Sequence, residues 1–408
     1  MQLFKSFALL LAVSLLLSAC SGKLAPINPP SELGAFQAEL ELATRWGKQL
    51  GQGSFGYHLK LRTLVDGERV FAANHAGRVE AYASRSGERL WRIELNSQLN
   101  TGPADAGEML LFGGMAEVIA IRKDDGREVW RSPVSSEILA LPAWHHRIVV
   151  VHGGDGNIIG LDAHSGEQRW IHRESVPSLS LRGTGTPLIV GDDGVVVGTA
   201  SGKLIALGLQ DGKPVWEAVI ATARGRTELE RIADVDADLA LVDAVVYASS
   251  YQGVLSAISL GGGQILWNRD IASSTGIVAD REQIYVSASD GTVWALARSS
   301  GATMWRQPAL QYRRLSAPVQ QGNYLILGDY DGYLHWLHKE DGRLVARTRV
   351  RDWREHSPLP SDSEQPFVGR PEDRAVLMAP AVSGNWVYAL DKRGVLDVYE
   401  VSPVESSR

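Results

Sequence analysis

Short runs in which apolar residues alternate with polar or small ones recur along this chain at a regular interval. Asp290-Gly291 leads into Thr292-Val293-Trp294-Ala295-Leu296, then Ser300-Gly301, then Trp305. The same order of turn, alternating run, second turn and Trp returns at Gly77 to Trp91, Glu117 to Trp130, Asp155 to Trp170, Ser201 to Trp216, Gln252 to Trp267 and Asp331 to Ala346. An eighth copy begins at Arg393-Gly394-Val395-Leu396-Asp397-Val398-Tyr399 and stops before a Trp; the missing Trp lies at the other end, in Arg45-Trp46-Gly47. A period of two predicts strands, and a tight turn such as Asp290-Gly291 between two such runs predicts a hairpin. A repeat of roughly 40 residues predicts an array of supersecondary units.

Each unit has room for four strands. Ile284 to Ala288 and Thr292 to Leu296 flank one turn, and the turn at Ser299-Ser300-Gly301 brings in a strand ending at Trp305. A further strand precedes them, often opened by a Pro: Pro103, Pro142, Pro187, Pro318 and Pro380. Pro is tolerated at a strand start because no ladder donor is lost there. Four short antiparallel strands form the blade of a β-propeller. The expectation is an all-β, eight-bladed propeller over residues 41–402 with a tail at 403–408. The strand around Trp46 completes the blade built from Val382 to Val401, which removes the free edges of an open array. An open solenoid needs polar capping repeats at its ends, and none is evident.

The repeated Trp residues read as locks between blades, since a Trp buries a large apolar area. Their spacing exposes two insertions. Trp91 to Trp130 is 39 residues and Trp130 to Trp170 is 40, but Trp170 to Trp216 is 46 and Trp216 to Trp267 is 51. The extra residues are Ser175-Val176-Pro177-Ser178-Leu179-Ser180-Leu181-Arg182-Gly183 and Thr227-Glu228-Leu229-Glu230-Arg231-Ile232-Ala233-Asp234-Val235-Asp236. Insertions in repeat arrays go to loops, often on a binding face, and neighbouring blades would place these two in one patch. A third insertion, about Asp352 to Arg374, is rich in Pro and charge.

Composition changes this picture at two points. A net charge of -6 gives no basic stripe, so nucleic acid is not an expected partner. The single Cys excludes an internal disulfide and any Cys-rich metal site. Lys5, the apolar stretch Phe7 to Leu17 and Leu17-Ser18-Ala19-Cys20 have the form of a removed signal rather than a membrane span. Leu-Ser-Ala-Cys resembles the lipobox of bacterial lipoproteins, which implies residues 1–19 as signal peptide and Cys20 as the acylated first residue. In such lipoproteins Asp after the Cys favours the inner membrane; Ser21 here implies the outer membrane. Residues 20–40, with Pro26, Pro29 and Pro30, read as a tether.

The blade phrase resembles the repeat of pyrroloquinoline-quinone propellers. The dehydrogenases of that class hold their cofactor between a Cys pair and a Trp, with calcium and an Asp base, and this chain has no Cys pair. No other catalytic set is evident. His145-His146, on one strand, would point to opposite faces; Asp155-Gly156-Asn157 lacks the remaining ligands of a calcium loop and reads as a hairpin turn. The closer resemblance is to the BamB family of outer-membrane assembly lipoproteins, across nearly the whole chain and most specifically at Leu179-Ser180-Leu181-Arg182-Gly183 and Asp234-Val235-Asp236. That resemblance implies contact of Leu179, Leu181, Arg182, Asp234 and Asp236 with a periplasmic POTRA domain of BamA, the barrel-forming assembly protein. One departure is Leu239, where a strand-opening Pro is expected.

Read from the residues alone, Leu with Arg makes an anchor with a bidentate donor, and Asp234 and Asp236 project to one side of an extended segment. The alternative is that the Leu residues staple the loop and the Asp residues cap turns. The expectation is thus a scaffold without cofactor, metal or catalysis, lipid-anchored in the outer membrane and facing the periplasm, bound to BamA and through it to other assembly subunits. Exposed strand edges could also receive nascent outer-membrane strands. A pyrroloquinoline-quinone dehydrogenase would instead bind cofactor and calcium. A cell-wall or carbohydrate binder would show aromatics at its mouth, for which Trp144, Trp294, Trp336, Trp353 and Trp386 remain unassigned.

Overall fold

The computed structural model describes residues 28–54, 57–180, 184–222, 227, 232–251, 253–351 and 374–404. Cys20, Leu181, Arg182 and residues 352–373 of the third insertion lie outside that set. The described residues form eight blades of four antiparallel strands, and in seven of them the chain runs in simple order from first strand to fourth. Seven blades are continuous in sequence, at 64–94, 99–133, 143–173, 188–219, 240–270, 277–307 and 319–349. The eighth takes three strands from 381–403 and its fourth from Leu40–Gln49, paired antiparallel from Leu40 with Pro403 to Gln49 with Val395. The ring is therefore closed by joining its two ends, as the split eighth repeat predicts.

First strands of neighbouring blades touch one another and line the centre; fourth strands face outward, as the exposure alternating along Arg89–Glu94 and Ile265–Asp270 shows. Pro142, Pro187, Pro318 and Pro380 each stand immediately before a first strand, and Leu239 fills the same position before Ala240–Val242. The core is divided into eight apolar clusters, each bridging one junction between blades.

The repeated Trp residues close those junctions. The indole N–H groups of Trp46, Trp91, Trp130, Trp170, Trp216, Trp267 and Trp305 donate to the carbonyls of Ser84, Lys123, Ala163, Leu209, Leu260, Arg298 and Lys339 in the following blade, at 2.7–3.0 Å. Each ring lies on the turn glycine that closes the next repeat. At Gly166, with φ +75°, an added Cβ would sit 2.7 Å from Trp130, and the other six junctions are built alike. Six of these Trp residues sit opposite Ala or Gly on the third strand, as Trp130 does with Ala120 and Trp170 with Gly160. A small partner makes room for the indole.

The seventh blade inverts this pair: Ala346 stands on the fourth strand and Trp336 opposite it on the third, fully buried. The sequence repeat loses its Trp there, but the pair keeps its volume. The N-terminal segment lies along this same junction. Glu39 N–H donates to the Val345 carbonyl, the Glu39 carboxylate accepts two bonds from Arg343, and Arg347 stacks on Phe36 at 4.9 Å. Residues 31–39 thus run against blade seven before entering the closing strand.

Candidate functional site

The first insertion joins the last strand of blade three, Gln168–Arg173, to the first strand of blade four, Leu188–Val190. The second joins Pro214–Val219 of blade four to Ala240–Val242 of blade five. Both are connections from a fourth strand to the next first strand, so both lie on one face of the ring. They are also in contact. An added Cβ at Gly185 would meet the carbonyls of Val235 and Ala237 at 3.3 Å, and the Thr186 N–H donates to Asp238 at 3.2 Å. Among the described residues, the segment that follows the first insertion thus meets the end of the second on one face.

Within the patch, Leu179 is exposed. It is an unpaid apolar surface next to the neighbouring exposed Val176. Asp234 and Asp236 differ from the expectation of outward carboxylates, since only 1% and 8% of their surfaces reach solvent. Val235 between them packs into the apolar cluster of blades four and five, and backbone bonds pin the segment. Val235 N–H donates to Thr199, and Tyr251 N–H to the Asp234 carbonyl. The alternation that puts both carboxylates on one side therefore turns that side inward, where Asp236 has Asp234 and Asp238 as neighbours and Lys60 as a counter-charge, and where Arg62 also faces Asp238.

Lys60 belongs to a short strand, Lys60–Leu61, that adds in parallel to Thr101 and Gly102 of the first strand of blade two. From there its Nζ donates to the Thr184 carbonyl at 3.1 Å and to Asp238 at 2.9 Å. One amine thus ties the end of the first insertion to the end of the second. Sequence reasoning missed Lys60, because the stretch between Trp46 and the first repeat carries no periodic signal and its partners are 124 and 178 residues away.

The charges respond as this arrangement requires. Burial pushes Asp236 up to about 7; Lys60 opposes that shift and Asp234 adds to it. Burial also raises Asp238, but Lys60 and the Thr186 hydrogen bond outweigh it and hold that carboxyl below its ordinary range. His152, buried beneath the first insertion, is pushed down to about 4 by desolvation and is neutral at pH 7. This is a structural polar cluster under a loop platform. Asp155 caps its own turn, accepting from the Asn157 N–H, as the hairpin reading predicts.

Comparison with known proteins agrees with this architecture. The family model described as outer membrane protein assembly factor BamB matches residues 75–307. The protein of that name from Alkalilimnicola ehrlichii is 44% identical over 340 residues, covering 83% of this chain and 88% of the relative. The one from Pseudomonas aeruginosa is 36% identical over 395 residues, covering 97% of this chain and 98% of the relative. The crystal structure of BamB from Moraxella catarrhalis superposes with a TM-score of 0.76 at 26% identity, covering 88% of this chain and all of that one. With a family match over more than half the chain and relatives aligned from end to end, this chain belongs to the BamB family of outer membrane protein assembly factors.

Proposed function

We propose that this chain is a non-catalytic subunit of the outer-membrane β-barrel assembly machinery, anchored through acylated Cys20 and facing the periplasm, whose two inserted loops dock a POTRA domain of BamA. The observation that carries the reading is the joining of those loops into one platform by Lys60. Leu179, with Leu181 and Arg182 beside it in sequence, supplies the contact surface: an apolar anchor and a bidentate donor at the centre of a patch are the usual source of interface energy. Asp234 and Asp236 act from beneath, because a carboxylate nine-tenths buried cannot reach a partner without rearrangement. Their part is to fix the height and spacing of the loop backbone.

The experiment is capture of this chain by the purified periplasmic domains of BamA, with L181A/R182A as the contact variant and circular dichroism as the folding control. The expected result is capture by the wild type and loss in the folded variant. No capture by a folded wild type would overturn the reading. Outer strands with exposed Val215, Val219, Ile265 and Leu266 favour a second role, receiving extended client segments at the rim; a V215K/L266K variant that still binds client peptides would remove it.

A further inference from the structure

The second cluster of chemistry-bearing side chains lies on the opposite face of the ring. Strand Ala143–His145 turns back after His145 pairs with Ile148, leaving His146 and Arg147 as a two-residue turn. His146 takes a φ of +51°, and its carbonyl accepts from the Trp144 indole at 2.8 Å. That left-handed conformation overturns the expectation that adjacent histidines diverge: the rings stand with centroids 4.0 Å apart. The corresponding turn of the next blade presents Asp192. His145 Nε2 lies 3.0 Å and His146 Nε2 3.7 Å from the same oxygen, Asp192 Oδ1. One ligand atom from each of the three lies within 4.8 Å of the others.

We propose that His145, His146 and Asp192 form a binding site for a divalent transition-metal ion of the zinc class, with water in the fourth position. A tetrahedral zinc with bonds near 2.0–2.1 Å places its ligand atoms about 3.3 Å apart, between the two measured separations. Two imidazoles select zinc, copper or nickel over calcium and magnesium, which take oxygen ligands. His146 takes the left-handed φ that Gly67, Gly107, Gly191, Asp243, Gly322 and Gly384 take at the corresponding turns of other blades, and here that shared hairpin geometry turns the second imidazole toward the first. Because both turns join a first strand to a second, the site is on the face opposite the insertions, and its occupancy is independent of partner docking there.

The test is isothermal titration of the full chain, purified in detergent, with zinc chloride, repeated on H146A, D192N and the exposed-histidine control H164A. One equivalent of zinc is expected to bind to the wild type and to H164A with equal affinity, and at least tenfold more weakly to H146A and to D192N; calcium in excess leaves the wild-type isotherm unchanged. Copper(II) in place of zinc is expected to show nitrogen superhyperfine coupling that is reduced in H146A. His146 and Asp192 are on exposed turns and His145 is half-buried at a strand end, and matching melting curves without metal verify that each variant is folded. No binding by the wild type, or wild-type affinity in either D192N or H146A, overturns the proposal.

Discussion

Asp236 offers a direct test of where the second insertion sits. Its carboxyl is raised from an ordinary 3.8 to about 7, chiefly by burial, with Asp234 adding and Lys60 opposing. Below about pH 4 folded and unfolded chains both hold the proton, and the group contributes no difference. Between about 4 and 7 the folded chain keeps a proton that the unfolded chain has lost, so stability falls as pH rises. Above about 7 both have lost it and the penalty is complete. Three pH units at 1.36 kcal/mol each set that penalty near 4 kcal/mol, of which about 2–3 kcal/mol develops between pH 5 and pH 8. Asp236→Asn removes the ionisable group while keeping its shape. Urea denaturation of wild type and variant, at half-unit steps from pH 5 to pH 8, reads the difference as a curve. Asn has its own hydrogen-bonding consequences, but these are independent of pH and only offset the curve. The variant is expected to gain on the wild type by about 2–3 kcal/mol across the range. A flat difference would mean that Asp236 is ionised in water throughout, and that the loop does not lie over it as described.

Replacing Lys60 with Met removes the cation common to both insertions; because the pair is partly solvated, a loss of about 1–3 kcal/mol is expected rather than the larger cost of breaking a fully buried ion pair. Limited trypsin digestion should then cut in 174–187 and 220–239 before the blades, and an unchanged digestion pattern would mean the loops hold together without it. The interblade lock is tested by two glycines of similar positive φ. At Gly166 (φ +75°) an added Cβ meets Trp130 at 2.7 Å, whereas at Gly191 (φ +59°) it meets nothing within 4 Å. Gly191→Ala should cost about 1 kcal/mol of backbone strain, and Gly166→Ala a further 1–3 kcal/mol of overpacking, by urea midpoint; equal losses would refute the close contact.

The repeat was legible because one junction is built the same way seven times: an indole, a carbonyl that accepts from it, and a turn glycine with no Cβ in the way. Each of those parts is local to one blade and recurs at the same offset, so period alone reveals it. What period could not reveal are relations between strands. Ala346 reads as a failed repeat until Trp336 is seen opposite it, where the large and small members of the pair have exchanged strands. The insertions were legible as excess length and their meeting as a consequence of neighbouring blades. Their internal orientation was not, because alternation in Asp234-Val235-Asp236 specifies two sides without saying which one is inside. The decision belongs to Val235, which packs into the cluster of blades four and five, and to the backbone bonds at Thr199 and Tyr251, while Lys60, in an aperiodic segment, supplies a positive charge that offsets Asp236. His145-His146 fails in the opposite direction. The rule that neighbours on a strand diverge is sound, but it lapses where the strand ends, and one left-handed φ converts a pair facing apart into a pair facing one carboxylate. In both places period two is read where the chain is not a plain strand, inside an insertion at Asp234-Val235-Asp236 and at the hairpin that ends Ala143–His145, and there side-chain direction is set by turns and long-range contacts instead.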